Sequence, residues 1–180
     1  MCGGDRHAEA LAAIDELALK AQREGLSVYG SLSDALRALC LLRQGLFAQA
    51  REVADRSLAA LAVMPVTNSL AGYCGPALVE AYLELWQHLT SAAQRAALAP
   101  QIREALRALR RVAAIIRIAE PASVLLEGQY KWLRGHQSAA RSCFRKSKQL
   151  AVYMGMPRDA ARAAAWQGRA TPGPDGRAML

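Results

Sequence analysis

This sequence predicts an all-α fold, a superhelix of about eight antiparallel helices joined as αα-hairpins. Three observations predict it. Apolar residues recur at helical spacing along most of the chain, and no segment shows strand alternation. The apolar content, 53% of 180 residues, is mostly Ala and Leu with only 6% aromatics, which suits closely packed helices. Two stretches 90 residues apart repeat one helix–turn–helix pattern: Leu36–Leu39–Leu42–Gly45–Phe47–Ala50–Leu58 and Val124–Gly128–Trp132–Gly135–Ala140–Phe144–Ser147.

The first helix is expected over 6–24, with Ala10, Leu11, Ile14, Leu17, Ala18 and Ala21 on one face and Gly25 ending it. Ser33 or Asp34 is placed to cap a second helix that carries Leu36, Leu39 and Cys40 inward and stops at Gly45. A third, over 46–62, gathers Phe47, Ala50, Val53, Ala54, Leu58 and Leu61. Residues 64–76, with two prolines and two glycines, read as a loop. Pro76 suits the first turn of a fourth helix, 76–90, whose inward face is Leu78, Ala81, Tyr82, Leu85, Trp86 and Leu89. Thr90 or Ser91 caps a short turn to Leu98, and Pro100 starts the longest helix, 101–119, striped by Ile102, Leu106, Leu109, Val112, Ala113 and Ile116. Helices follow over 121–134 and 137–154 around Gly135, then one from Pro157 to Arg169 after Gly155.

In each repeated unit a Gly marks the turn and an Ala follows five residues later, the signature of an α-helical repeat of tetratricopeptide type. Such a unit cannot bury its apolar face alone and stacks on neighbours. The 90-residue separation is well over twice the usual period, so 64–119 is expected to hold a divergent hairpin. Asp34 and Val124 stand where the repeat expects a bulky aromatic. The expected organisation is one helical repeat domain over 1–169, with a flexible tail over 170–180.

Several chemistries find no support. No window reaches the roughly 18 apolar residues of a membrane span, and the N-terminus MCGGDRHAEA has no signal-peptide apolar region. No membrane partner is expected, and the expected compartment is the cytoplasm. The four cysteines, Cys2, Cys40, Cys74 and Cys143, form no CxxC pair and read as free thiols. Neither GxxxxGK[ST] nor GxGxxG occurs; the Gly72–Gly75 pair before a helix reads as a plain turn. His7, His88 and His136 lack ligand spacing, so no metal or cofactor is expected. Glu80 and Glu84 flank an apolar face, as solvated edges do, and no catalytic residue is assigned.

Charge is the remaining signal. Residues 1–99 carry a net −2, residues 100–158 a net +9 and residues 159–180 a net +1. Arg103, Arg107, Arg110, Arg111 and Arg117 share one face of the predicted helix 101–119. Lys131, Arg134, Arg141, Arg145, Lys146 and Lys148 follow with no acid between them. These eleven residues are the candidate partner-binding set, suited to an acidic protein or, as the alternative, to nucleic acid. The first reading remains a solvated or intra-protein docking face, because no nucleic-acid motif accompanies the charge. A groove lined by Tyr73, Tyr82, Trp86, Tyr130, Trp132 and Trp166 for a peptide or small ligand is a further alternative to plain core packing.

Three stretches together carry a family resemblance: GYCGPALVEAYLELW (72–86), YKWLRGHQSAARSCF (130–144) and MGMPRDAARAAAWQGR (154–169). They resemble the C-terminal tetratricopeptide-like arrays of bacterial AAA-type ATPase signalling proteins, often fused to class III adenylate or guanylate cyclase, kinase or DNA-binding domains. The resemblance spans about residues 70–170. It implies a cytoplasmic sensor or scaffold arm that binds a protein partner and regulates an attached ATPase or cyclase. It carries over no catalytic residue, since the nucleotide-binding and metal-binding positions of that family belong to other domains. Cys74 and Pro76 depart from the family pattern after Gly-Tyr. The family array also continues past the Gly-Arg near which this chain stops, so a fragment of a longer protein is expected.

Overall fold

A computed structural model describes residues 4–24, 27–63 and 71–171. Among them there are eight α-helices, one 3-10 turn and no strand. The helices are α1 (Gly4–Arg23), α2 (Ser27–Arg43), α3 (Phe47–Val63), α4 (Ala71–His88), α5 (Ala92–Ile115), α6 (Glu120–Leu133), α7 (Gln137–Tyr153) and α8 (Pro157–Ala170); the 3-10 turn is Arg117–Ala119. They group into two compact units, Met1–Ile115 and Ile116–Leu180. Gly25, Cys2, residues 64–70 and the tail from 172 onward lie outside the described residues.

In the first unit α2 packs against α1, α3 and α4, and α4 against α2, α3 and α5. Because α4 has three neighbours it is buried almost all round: Cys74, Leu78, Val79, Ala81, Tyr82, Leu83 and Leu85 are all enclosed. The same crowding rotates α2 from its expected face. Ala35, Ala38, Leu41 and Leu42 are buried, whereas Leu36, Leu39 and Cys40 are only half-buried. Small alanines let the neighbouring helices approach. Ser33 is buried inside α2 and Asp34 pairs with Arg56 at 3.5 Å, so neither caps the helix start at Ser27.

Two helix starts differ from expectation, each for a visible reason. The fourth helix begins at Ala71, five residues before Pro76, because one more upstream turn buries Cys74 on the stripe of Leu78, Ala81 and Tyr82. Gly72 and Gly75 therefore lie inside α4. A Cβ on Gly75 would come within 2.9 Å of Leu109 Cδ1, so this glycine serves the α4–α5 approach and not an anion. The fifth helix begins at Ala92 and runs through Pro100 to Ile115. Ser91 Oγ accepts the Gln94 N–H at 3.1 Å and Gln94 Oε1 accepts the Ser91 N–H at 3.4 Å, a reciprocal capping box. Pro100 leaves the Ala96 carbonyl without its helical donor, at a point where both residues are exposed to solvent. Arg117 follows the helix end and stands in the 3-10 turn, apart from the other four arginines.

The second unit stacks α6 on α7 and α7 on α8. Its core is Leu125, Ala140, Phe144, Ala163 and Ala170, with Trp132 and Trp166 packed against it. Gly128 brings α6 onto α7: an added Cβ would lie 2.7 Å from Phe144 Cε1 and 2.8 Å from Cys143 Cβ.

Candidate functional site

Three turns between helices share one design. At the α2–α3 turn the Gly45 N–H donates to Leu42 O at 3.0 Å and the Leu46 N–H to Leu41 O at 2.9 Å. At α6–α7, Gly135 donates to Trp132 O at 2.9 Å and His136 to Lys131 O at 2.9 Å; at α7–α8, Gly155 donates to Val152 O at 3.1 Å and Met156 to Ala151 O at 2.8 Å. This paired bonding closes a helix C-terminus when the residue between helix and bond is left-handed. The three glycines have φ of +77°, +83° and +66°, a region where a side chain is costly. The residue after each glycine then starts the next helix, its carbonyl accepting from Ala50, Ala140 or Ala160.

The α5 arginines stand free. Arg103, Arg107, Arg110 and Arg111 are exposed, while Ile102, Ala105, Leu106, Leu109, Val112 and Ala113 bury the opposite side. None of the four has an ion pair among the described residues.

The other candidates divide differently. Arg117 pairs with Glu120 at 3.0 Å. Lys131 pairs with Glu127 at 2.9 Å and lies 3.4 Å from Cys143 Sγ. Hydrogen bonding to Glu127 raises the Lys131 pKa, opposed by burial and aided by Cys143. Arg134 sits over the Tyr130 ring at 5.7 Å, and Arg141 donates to the Ala170 carbonyl at 3.4 Å. On α7, Arg145 and Lys146 are exposed and Lys148 is half-buried. The α5 arginines belong to the first unit and the rest of the set to the second.

A cleft missed by sequence reading lies among α1, α2 and α3. Its volume is about 410 Å³, with Leu11, Leu41 and Val53 as apolar lining and Asp15, Arg37, Gln49, Glu52 and Arg56 as polar lining. Its charges are already matched: Arg37 with Asp15, and Arg56 with Glu52 at 3.2 Å and Asp34 at 3.5 Å. Three helices contribute at ordinary amphipathic positions, so no local motif announces it.

The six aromatics separate as well. Tyr82, Trp86 and Tyr130 are buried, and Tyr73 is exposed. Trp166 packs on Phe144 with ring centroids 5.6 Å apart. Phe47, expected inward, is exposed and stacks on His88 at 4.5 Å. Tyr82 OH donates to Asp55 Oδ1 at 2.6 Å; burial first, then this carboxylate, raise the phenol's pKa. Burial pushes the Cys74 thiol up to about 12. Glu84 pairs with Arg43 at 3.4 Å. Among the described residues no group of three His, Cys, Asp or Glu side chains could hold a metal ion, and no helix is long and apolar enough to cross a membrane. Compared with known proteins, the chain matches no family model, no curated protein and no solved structure.

Proposed function

We propose that this chain is a non-catalytic, tetratricopeptide-like interaction arm that binds protein partners and regulates an attached bacterial signalling ATPase or nucleotide cyclase. The observation that supports it is the glycine turn used three times with one bonding pattern and an Ala at the same following position. A repeated local device of this kind extends a helical stack and creates surface, whereas catalysis needs converging reactive groups. The charged groups nearest to convergence, around the α1–α3 cleft, are tied to one another in ion pairs.

Two measurements test the reading. The purified chain is expected to turn over no ATP and to form no cyclic nucleotide; measurable turnover of either overturns the non-catalytic part. The coding frame on the 5′ side of Met1 is expected to encode an AAA-type module; a stop codon closing that frame overturns the attached-ATPase part.

A further inference from the structure

We propose that the arginine ladder of α5 is the docking surface for an acidic helical segment of a partner protein. This deepens the interaction-arm reading and rests on it. The ladder is Arg103, Arg107, Arg110 and Arg111, all exposed and all without an ion pair among the described residues. With a rise of about 1.5 Å per residue, Arg103, Arg107 and Arg110 span roughly 10.5 Å along one side of the helix. Arg107 has like-charged neighbours at i−4, i+3 and i+4 against a single carboxylate, Glu104, at i−3, an excess of positive charge that opposes helix formation and that further anions would relieve. The helix holds regardless, because its capping box and its buried face carry it.

The spacing selects the partner. Carboxylates at i, i+4 and i+7 of a second α-helix repeat the same rise and would meet the guanidinium forks one for one, each fork able to hold both oxygens. Nucleic acid fits less well. The exposed residues of α5 include no aromatic on which a base could stack. Two of the other basic candidates, Arg117 and Lys131, are already neutralised by Glu120 and Glu127.

The test is fluorescence anisotropy with the full chain and defined probes. One probe is an alanine-rich peptide of about 15 residues, long enough to be helical when docked, with glutamates at i, i+4 and i+7. A second has the same composition with the glutamates spread around the helix, and a third is a single-stranded oligonucleotide of equal charge. The aligned peptide is expected to bind, more weakly as salt rises. Arg107→Glu should weaken it about tenfold, and Arg107→Lys by less, since lysine keeps the charge and loses the fork. Arg158→Glu, the same charge change at an exposed site on α8, should leave it unaltered. If Arg107→Glu does not fold, Arg110→Gln is read in its place, with the same direction expected. The proposal is overturned if the aligned peptide fails to bind at low salt, if both peptides bind equally, if the oligonucleotide binds more tightly, or if Arg158→Glu weakens binding as much as Arg107→Glu. Nucleotide turnover by the chain would overturn the non-catalytic reading and leave the ladder measurement intact, so the two failures are distinguishable.

Discussion

The α2–α3 hairpin and the α6–α7 hairpin share a turn and differ in the core beneath it. At the turn, the glycines have φ of +77° and +83° and the hydrogen bonds match to within 0.1 Å, at 3.0 and 2.9 Å in one and 2.9 Å twice in the other. Under it, at positions related by the same 90-residue offset, the first hairpin places Ala38 and Ala54, both fully buried, and the second places Gly128 and Phe144. One pair divides the volume evenly between two helices. The other removes a side chain from α6 and fills the space with a ring from α7. Turn geometry is a local property of three or four residues, while helix spacing is negotiated between two helices, so one can stay fixed as the other drifts.

The volume exchange gives the largest expected effects. Phe144→Ala should cost about 3–5 kcal/mol, confined to the second unit. Gly128→Ala should cost about 1–3 kcal/mol, since its Cβ would press on Phe144 and Cys143. The double variant recreates the alanine pair of the first hairpin, and there the added methyl should cost nothing or restore stability. Denaturant titration of all three variants gives the coupling, with Trp132 and Trp166 as fluorescence reporters in a Trp86→Phe background. Strict additivity would break the comparison.

Next come the turns themselves. Gly45→Ala and Gly135→Ala should each cost about 1–2 kcal/mol, because both glycines are left-handed and neither Cβ would meet an atom within 4 Å. The penalty is purely backbone in both, so the two values should agree. Gly135→Val, with its branched side chain, should exceed Gly135→Ala. A large difference between the two alanine variants, read by thermal unfolding, would show that packing decides the turns after all.

A third contrast is in pH. Cys74 lies in the buried α4 of the first unit, with its thiol raised from 9.0 to about 12 by burial. A raised pKa means the folded chain holds its proton more tightly. The stability this confers is complete below about pH 9 and is lost as pH climbs toward 12, at no more than about 1.4 kcal/mol per pH unit for this one group. Tyr82, raised for the same first reason, acts in the same direction at higher pH. Cys74→Ala should flatten the alkaline fall in unfolding free energy followed by Trp86. An unchanged slope would remove Cys74 as its cause.

What was legible in the sequence follows the same division between local and negotiated features. The Gly45, Gly135 and Gly155 turns could be read directly, since a left-handed helix end needs little beyond the glycine. The exposed α5 arginines could be read too, because a helical period fixes which residues share a side. The starts of α4 and α5 were not legible from their prolines. Pro76 and Pro100 both suit a first turn, but a buried Cys74 and the Ser91–Gln94 box outweigh that preference. The inward face of α2 depended on having three neighbours, which no pattern within α2 records. The pairing of Lys131 and Arg117 and the α1–α3 cleft likewise depend on side-chain conformation and on helices meeting.

The smallest effect concerns a feature both hairpins keep. Ser57 and Ser147 stand at the same 90-residue offset and both are fully buried. Ser147 Oγ donates to the Pro121 carbonyl at 2.7 Å, tying α7 to the first turn of α6. Replacing it by Ala removes one hydrogen bond, for about 1 kcal/mol. The loss should not be larger, because the helical ladder of α6 offers that carbonyl a second donor and no acceptor is stranded. Ser57→Ala should cost a similar amount if the serine is part of what the hairpins share, as the turn is, and not part of what differs, as the Ala38/Ala54 and Gly128/Phe144 pairs do. Parallel denaturant titrations of the two variants decide it: matching losses place the serine with the turn, and a neutral Ser57→Ala would leave the glycine turn as the one device common to both hairpins.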